Sequence, residues 1–221
     1  MGARFDAVLL DFDGTFADTS EGVLASANTA LEELGYPTMG LPEFRKFLGP
    51  PLEESFHRFL GMDRDTARRA IDIYRREYRA GNCLRLRIYD GLPALLLRLR
   101  TEGFQLGIAS AKPTVFLERI LAGLGMRDLF AAVSGVALDR LDTGKADLIA
   151  AAARDCGTAL PQTLMVGDRR FDMEGAKAAG APCAGALFGF GSREELLAAG
   201  ADYLIEDIAA LERVIFGCAR S

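Results

Sequence analysis

The sequence holds one histidine, His57, and four cysteines, Cys83, Cys156, Cys183 and Cys218, among 221 residues. The cysteines lie far apart, form no C-x-x-C pair and have no neighbouring histidine, which argues against a zinc centre of Cys and His. Four separate thiols suit a reducing compartment, so a cytoplasmic protein is expected. A single histidine in a helical stretch also leaves no good base for a Ser-His-Asp hydrolase. Proline is sparse, at 8 residues, and no apolar run approaches the ~20 residues needed to span a bilayer. The opening residues, Met1 to Asp6, carry an acid where a secretory signal needs an uninterrupted apolar stretch. A soluble chain with no membrane partner is expected. Its chemistry has to rest on carboxylates, lysine, arginine and serine.

Half of the residues are hydrophobic and 26% are charged, a composition that can build a core and excludes a stably disordered chain. A chain of this size buries roughly 70% of its unfolded surface, enough for a large domain with a smaller partner. Net charge is −5, unevenly spread. Residues 58–100 hold eleven arginines and five acids, so this window is +6 and the remainder −11. Helical spacing of Arg68, Arg69, Arg75, Arg76 and Arg79, with Ile71, Tyr74 and Tyr78 opposite, fits a solvated helix face. Steering of an anionic substrate and a nucleic-acid patch are the other readings; a nucleic-acid partner is not expected.

Patterning divides the chain. Residues 5–11 read as a buried strand ending in an acid. From Asp18 to Gly35 the period is helical, with Asp18 and Glu21 as a capping box. Further helices are expected at 41–48, 51–60 and 64–80, with nothing strand-like from 18 to 83. After residue 90 strands alternate with helices: strands at 105–109, 130–136, 163–166, 182–187 and 203–205, a helix started by Asp90-Gly-Leu-Pro and ended by Gly103, and helices at 113–124, 145–156, 172–179, 193–199 and 208–216. Repeated β-α-β units predict a Rossmann-like α/β fold with a parallel sheet, residues 1–17 and 84–221, interrupted by an all-helical insertion over 18–83. Ligands of such sheets bind beyond the carboxyl ends of the strands.

Several polar residues fall at those ends. Asp11 ends the first strand and Phe12-Asp13-Gly14-Thr15 turns after it, so alternate carboxylates can face one pocket. Ser110 follows the 105–109 strand, Lys145 opens a helix, Asp168 follows Val166-Gly167, and Asp172 lies one helical turn further on. Clustered aspartates suit a hard cation such as Mg²⁺, and a nearby lysine and serine supply donors for phosphate oxygens. Any one of these residues could be a turn, a cap or a surface charge. Together and in this order they are the parts of a phosphoryl-transfer site.

Asp11-Phe-Asp-Gly-Thr-Phe16, Ser110, Lys145 and Gly167-Asp168-Arg-Arg-Phe-Asp172 resemble, in order and across the whole chain, the four motifs of haloacid-dehalogenase-superfamily phosphatases. The helical insertion after the first motif is similar to the cap of the phosphoglycolate-phosphatase-like branch. Ser110-Ala111-Lys112-Pro113 with Gly49-Pro50-Pro51-Leu52 and Gly167-Asp168-Arg169 looks more like its 5′-nucleotidase-like relatives. The resemblance implies that Asp11 is the nucleophile forming an aspartyl-phosphate, and that Asp13 is the acid and base. It implies Mg²⁺ held by Asp11, the Asp13 carbonyl and Asp168, with Asp172 supporting or joining the shell. Ser110, the Ala111 amide and Lys145 would hold phosphate oxygens. Phe16 stands where Leu is usual, and Arg169 where the glycolate branch has Ser, which leaves the substrate open between a phosphoglycolate-like ester and a nucleoside monophosphate.

The expected function is hydrolysis of a small phosphorylated metabolite, by a monomer or a dimer. A phosphomutase of the same fold and a non-catalytic regulatory module are the alternatives. A phosphonate hydrolase would need a lysine in the insertion, where Lys46 stands alone. Cap arginines, with Glu53 and His57, are expected to contact the substrate.

Overall fold

Ala7–Leu10, an unbroken apolar run, forms β1, and all four residues are fully buried, as a central strand covered on both faces must be. The computed structural model describes residues 5–44, 52, 55–138 and 143–217. Along the chain β1 is followed by β2 (Ala17–Asp18), β3 (Arg87–Ile88), β4 (Gln105–Pro113) and β5 (Ala132–Val136). Then come β6 (Thr163–Gly167), β7 (Cys183–Ala186) and β8 (Tyr203–Ile205). Six of these make one parallel sheet in the order β5-β4-β1-β6-β7-β8, while β2 and β3 pair with each other. The α/β fold expected from the alternation is the fold observed.

The chain forms two compact units, Met1–Ala17 with Ile88–Ser221, and Asp18–Arg87. In the first, helices Leu92–Thr101, Thr114–Gly123, Lys145–Asp155, Arg170–Ala179, Arg193–Ala198 and Ile208–Phe216 follow the strands in turn. One apolar core draws Leu9 and Met165 from the sheet against Ile149, Ala152, Met173 and Leu196 from the helices. Burying each leucine, isoleucine or methionine of this group stabilises by about 1.5–3 kcal/mol, so this layer anchors the strand ends that carry the polar residues.

Apart from Asp18 of β2, which departs from the expectation of nothing strand-like over 18–83, and Arg87 of β3, the regular elements described in the second unit are helical: Ser20–Glu33, Leu41–Phe44, Arg64–Ala80, a π-helical turn Ser55–Phe59 and a 3-10 turn Asn82–Leu84. Asp63 caps Arg64–Ala80 by accepting from the Asp65 and Thr66 amides, and Gly81 closes it. Ala67, Ala70, Tyr74 and Tyr78 are its buried stripe, with the two tyrosine rings stacked 5.4 Å apart. Arg68, Arg69, Arg76 and Arg79 are exposed on the other side. Arg76 pairs with Glu33 and Glu77, and Arg85 with Glu21.

Glu21 is therefore engaged by Arg85, and the expected capping box does not form. Thr19 is the N-cap residue and Asp18 accepts from the Ser20 amide instead. Lys46, Gly49, Pro50, Pro51 and Glu53, with the ends of the helices expected at 41–48 and 51–60, lie outside the described residues, as does Cys218. Among the described residues no helix is long and apolar enough to cross a membrane.

Candidate active site

Leu10 pairs with Ile108 of β4 on one side and Val166 of β6 on the other. Asp11, whose amide donates to the Val166 carbonyl at 2.8 Å, thus leaves the sheet at its centre, between the ends of two neighbouring strands. The connections run to opposite sides of β1, so this is also the point where strand order reverses, where open α/β sheets bind ligands. Asp168 follows directly after β6, and Lys145 and Asp172 sit in the first turns of the helices Lys145–Asp155 and Arg170–Ala179.

These four residues meet. Lys145 Nζ donates to Asp11 Oδ1 at 2.8 Å and lies 2.6 Å from Asp172 Oδ1. Burial opposes the charge on this ammonium, but the two carboxylates outweigh it and raise its pKa above the ordinary lysine range. Asp172 Oδ2 accepts from the Arg169 amide at 3.0 Å, while its buried Oδ1 faces the Lys145 ammonium. Asp168 is fully buried: Oδ1 accepts from the Thr15 hydroxyl at 3.1 Å and Oδ2 from the Phe190 amide at 2.8 Å. Burial, then the charges of Asp172 and Asp11, push the Asp168 carboxyl well above the usual range, against those two donors. Burial likewise lifts Asp172 to about 6, with Lys145 pulling it down and Asp11 adding to the rise.

One carboxylate oxygen from each of Asp11, Asp168 and Asp172 lies within 4.8 Å of the others. Three acids meeting one ammonium are under-compensated, and all the donors are hard oxygens. A divalent cation fits that donor set and relieves the repulsion.

Close packing sets these positions. Gly14 has φ +83°, and a side chain there would run into Asp168 Oδ2 and the Phe190 ring. Gly175 lets the helix Arg170–Ala179 approach the stem of Lys145: a Cβ at 175 would stand 2.8 Å from both Lys145 Cβ and Cγ. Gly175→Ala should therefore displace the ammonium while keeping the fold, at an overpacking cost of about 1–3 kcal/mol. Turnover is expected to fall on the order of 10-fold or more, since small misplacements at a reacting centre are costly. Paired measurements of kcat and Tm check this; an unchanged kcat would show that this helix contact does not place Lys145.

The remaining expected residues lie on β4 and the turn after β1. Ser110 does not follow its strand, as expected, but lies inside it, because β4 continues to Pro113 to pair with Val136. Between Ala109 and Pro113 the register against β5 slips, and Ser110, Ala111 and Lys112 occupy the bulge. Ser110 is buried, Ala111 exposed and Lys112 buried. Ser110 Oγ accepts from the Lys112 amide at 3.2 Å, which leaves the hydroxyl proton for another acceptor. Lys112 Nζ contacts both Asp13 oxygens at 2.8 Å. The observed ion pairs join Asp11, Lys145 and Asp172 in one group, and Asp13 and Lys112 in another. Thr15 and Lys112 stand inside the first motif and the Ser110-Ala111-Lys112-Pro113 run without a chemical role implied for them, and the Phe190 amide and Gly175 carry no signal in the sequence. His57, in the helical unit, is exposed, with Nδ1 2.6 Å from the Met62 carbonyl.

The family model of haloacid dehalogenase-like hydrolases matches residues 8–186. A 5′-nucleotidase of Pseudomonas aeruginosa is 36% identical, over 96% of this chain and 96% of its own length. A phosphoglycolate phosphatase of Pseudomonas syringae pv. tomato is 29% identical, over 96% of this chain and 79% of its own. A solved structure described as a predicted phosphatase, from Clostridium acetobutylicum, is 37% identical and superposes with a TM-score of 0.88, over 96% of this chain and 98% of that one.

Proposed function

The chain belongs to the haloacid dehalogenase-like hydrolase family, and we propose that within it the protein hydrolyses small phosphomonoesters with Mg²⁺ through an aspartyl-phosphate. It is a phosphoric monoester hydrolase, of a family that generally uses a divalent metal. The observation that carries the finer reading is the Asp11–Lys145–Asp172 ion-pair group with Asp168 beside it at the strand ends. An anionic nucleophile can approach an anionic phosphate only where cations offset the repulsion, and Lys145 is one.

In this reading an Asp11 carboxylate oxygen attacks phosphorus, the bond to the leaving oxygen breaks, and Asp13 gives that oxygen its proton. Water then attacks the phosphorus of the aspartyl-phosphate while Asp13 takes a proton from it. Inorganic phosphate leaves and the Asp11 carboxylate is restored. Ser110 Oγ, the Ala111 amide and Lys145 Nζ hold the oxygens that do not transfer. Asp11, the Asp13 carbonyl and Asp168 would hold the cation, with Asp172 beside them. When bound, the cation supplies charge neutralisation and polarises the phosphoryl group.

A phosphoglycolate-like ester or a nucleoside monophosphate is the substrate class, in keeping with the two named relatives. Choice between leaving groups is assigned to the helical insertion, residues 18–83. A panel of phosphomonoesters with Mg²⁺, read as released phosphate, tests the reaction. Turnover of nucleoside monophosphates or short phosphorylated acids is expected. Isomerised sugar phosphate without free phosphate would instead establish a mutase, and no turnover on any ester would leave a binding module.

A further inference from the structure

Lysine is almost never buried unless paired, and an unpaired ammonium there costs several kcal/mol. Lys112 leaves 6% of its side chain exposed, and its Nζ stands 2.8 Å from each oxygen of Asp13. The contact is fixed from both ends. On the lysine side, the backbone sits in the β4 bulge, its amide bonded to Ser110 Oγ, and Nζ lies 5.6 Å from the centre of the Phe12 ring. Gly135 of β5 lies against this bulge, where a Cβ would collide with the Lys112 carbonyl and the Thr114 amide. On the aspartate side, the turn is closed by the Gly14 amide on the Ala17 carbonyl at 2.9 Å. One ammonium on both oxygens sets the rotation of the Asp13 carboxylate as well as its position.

We propose that Lys112 is the positioning residue for Asp13, holding its carboxylate in the orientation from which it serves the leaving oxygen and then the water. This rests on the acid–base role given to Asp13 above. Proton transfer needs a heavy-atom separation of about 2.6–3.2 Å, and a carboxylate free to rotate spends little time there. Asp11 meets a buried lysine too, but shares it: Lys145 Nζ donates to one Asp11 oxygen and pairs with Asp172 as well.

An ordinary buried salt bridge would matter to stability alone and affect all substrates equally. A positioning role has a different signature, because only esters with poor leaving groups need the proton. Lys112→Met keeps the apolar stem and removes the ammonium; Lys112→Gln, which can donate to only one oxygen, is the second variant should the first fail to fold. With an alkyl phosphate, kcat is expected to fall on the order of 100-fold. With 4-nitrophenyl phosphate, the first step should slow by no more than a few-fold, followed by a burst of nitrophenol as the phosphoenzyme waits for a water that Asp13 no longer activates. Lys112→Arg, which restores a two-pronged donor, should recover much of the alkyl phosphate rate. Equal slowing of phosphoenzyme formation from both esters, or no slowing from either, would overturn the proposal. Asp13→Asn is measured alongside: if it discriminates between the esters and the Lys112 variants do not, the positioning role alone fails. If Asp13→Asn does not discriminate, the acid–base reading fails and takes this inference with it.

Discussion

Asp11→Asn is expected to lose turnover by on the order of 10,000-fold or more while folding as the parent does. An amide has no anionic oxygen to attack phosphorus, so the loss falls on the bond-forming step rather than on binding. The fold should survive because the substitution is close to isosteric and an amide oxygen can still accept from Lys145 Nζ, now 2.8 Å from Asp11 Oδ1. Lys145 also keeps Asp172, at 2.6 Å. Removing one of three clustered negative charges relieves repulsion on Asp168 and Asp172, so Tm should hold or rise. Released phosphate and thermal unfolding, measured on the same preparation, check both halves. Near-normal activity in a folded Asp11→Asn protein would sink the covalent mechanism.

Chelation is the second large effect: EDTA should abolish turnover and Mg²⁺ should restore it. Asp168→Ala should raise the Mg²⁺ concentration needed by about 10- to 100-fold or more. The protein without metal has its own pH signature. Asp172 titrates at about 6 in the folded protein and Asp168 well above its ordinary value, whereas both revert to a pKa of about 3.8 on unfolding. As pH rises from about 4 through 6, the folded state therefore holds more protons than the unfolded one, and stability without metal falls. Bound Mg²⁺ has to displace those protons, so its affinity rises over the same window. At a concentration 100 times its Kd the ion adds about 2.7 kcal/mol, which corresponds to a Tm increase of roughly 5–10 °C near pH 7.5 and less at pH 5. Melting curves across that range, with and without Mg²⁺, test this. Activity indifferent to EDTA, together with a Tm indifferent to Mg²⁺, would remove the metal from the site.

Local pattern alone placed most elements to within a few residues, because a strand such as Ala7–Leu10 or a helix such as Arg64–Ala80 carries its own periodicity and its own stop. It failed where a distant partner decides. β4 is extended to Pro113 by Val136 of β5, and Glu21 is drawn from its cap by Arg85, 64 residues away.

The same division runs through the site. Asp11, Lys145, Asp168 and Asp172 were readable as a set because each stands at the end of, or close beside, a recognisable element, and a parallel sheet collects such ends on one edge. Their pairing was not readable. That one ammonium spans Asp11 and Asp172, that Thr15 and the Phe190 amide take the two oxygens of Asp168, and that Lys112 holds Asp13 across 99 residues depend on side-chain distances. Those distances are set by the β4 bulge, by the close approach at Gly175 and by the left-handed turn at Gly14. Residue type and order dictate which charges the strand ends offer. Which charge meets which, and how far burial shifts each one, is decided only once the sheet and its helices have packed.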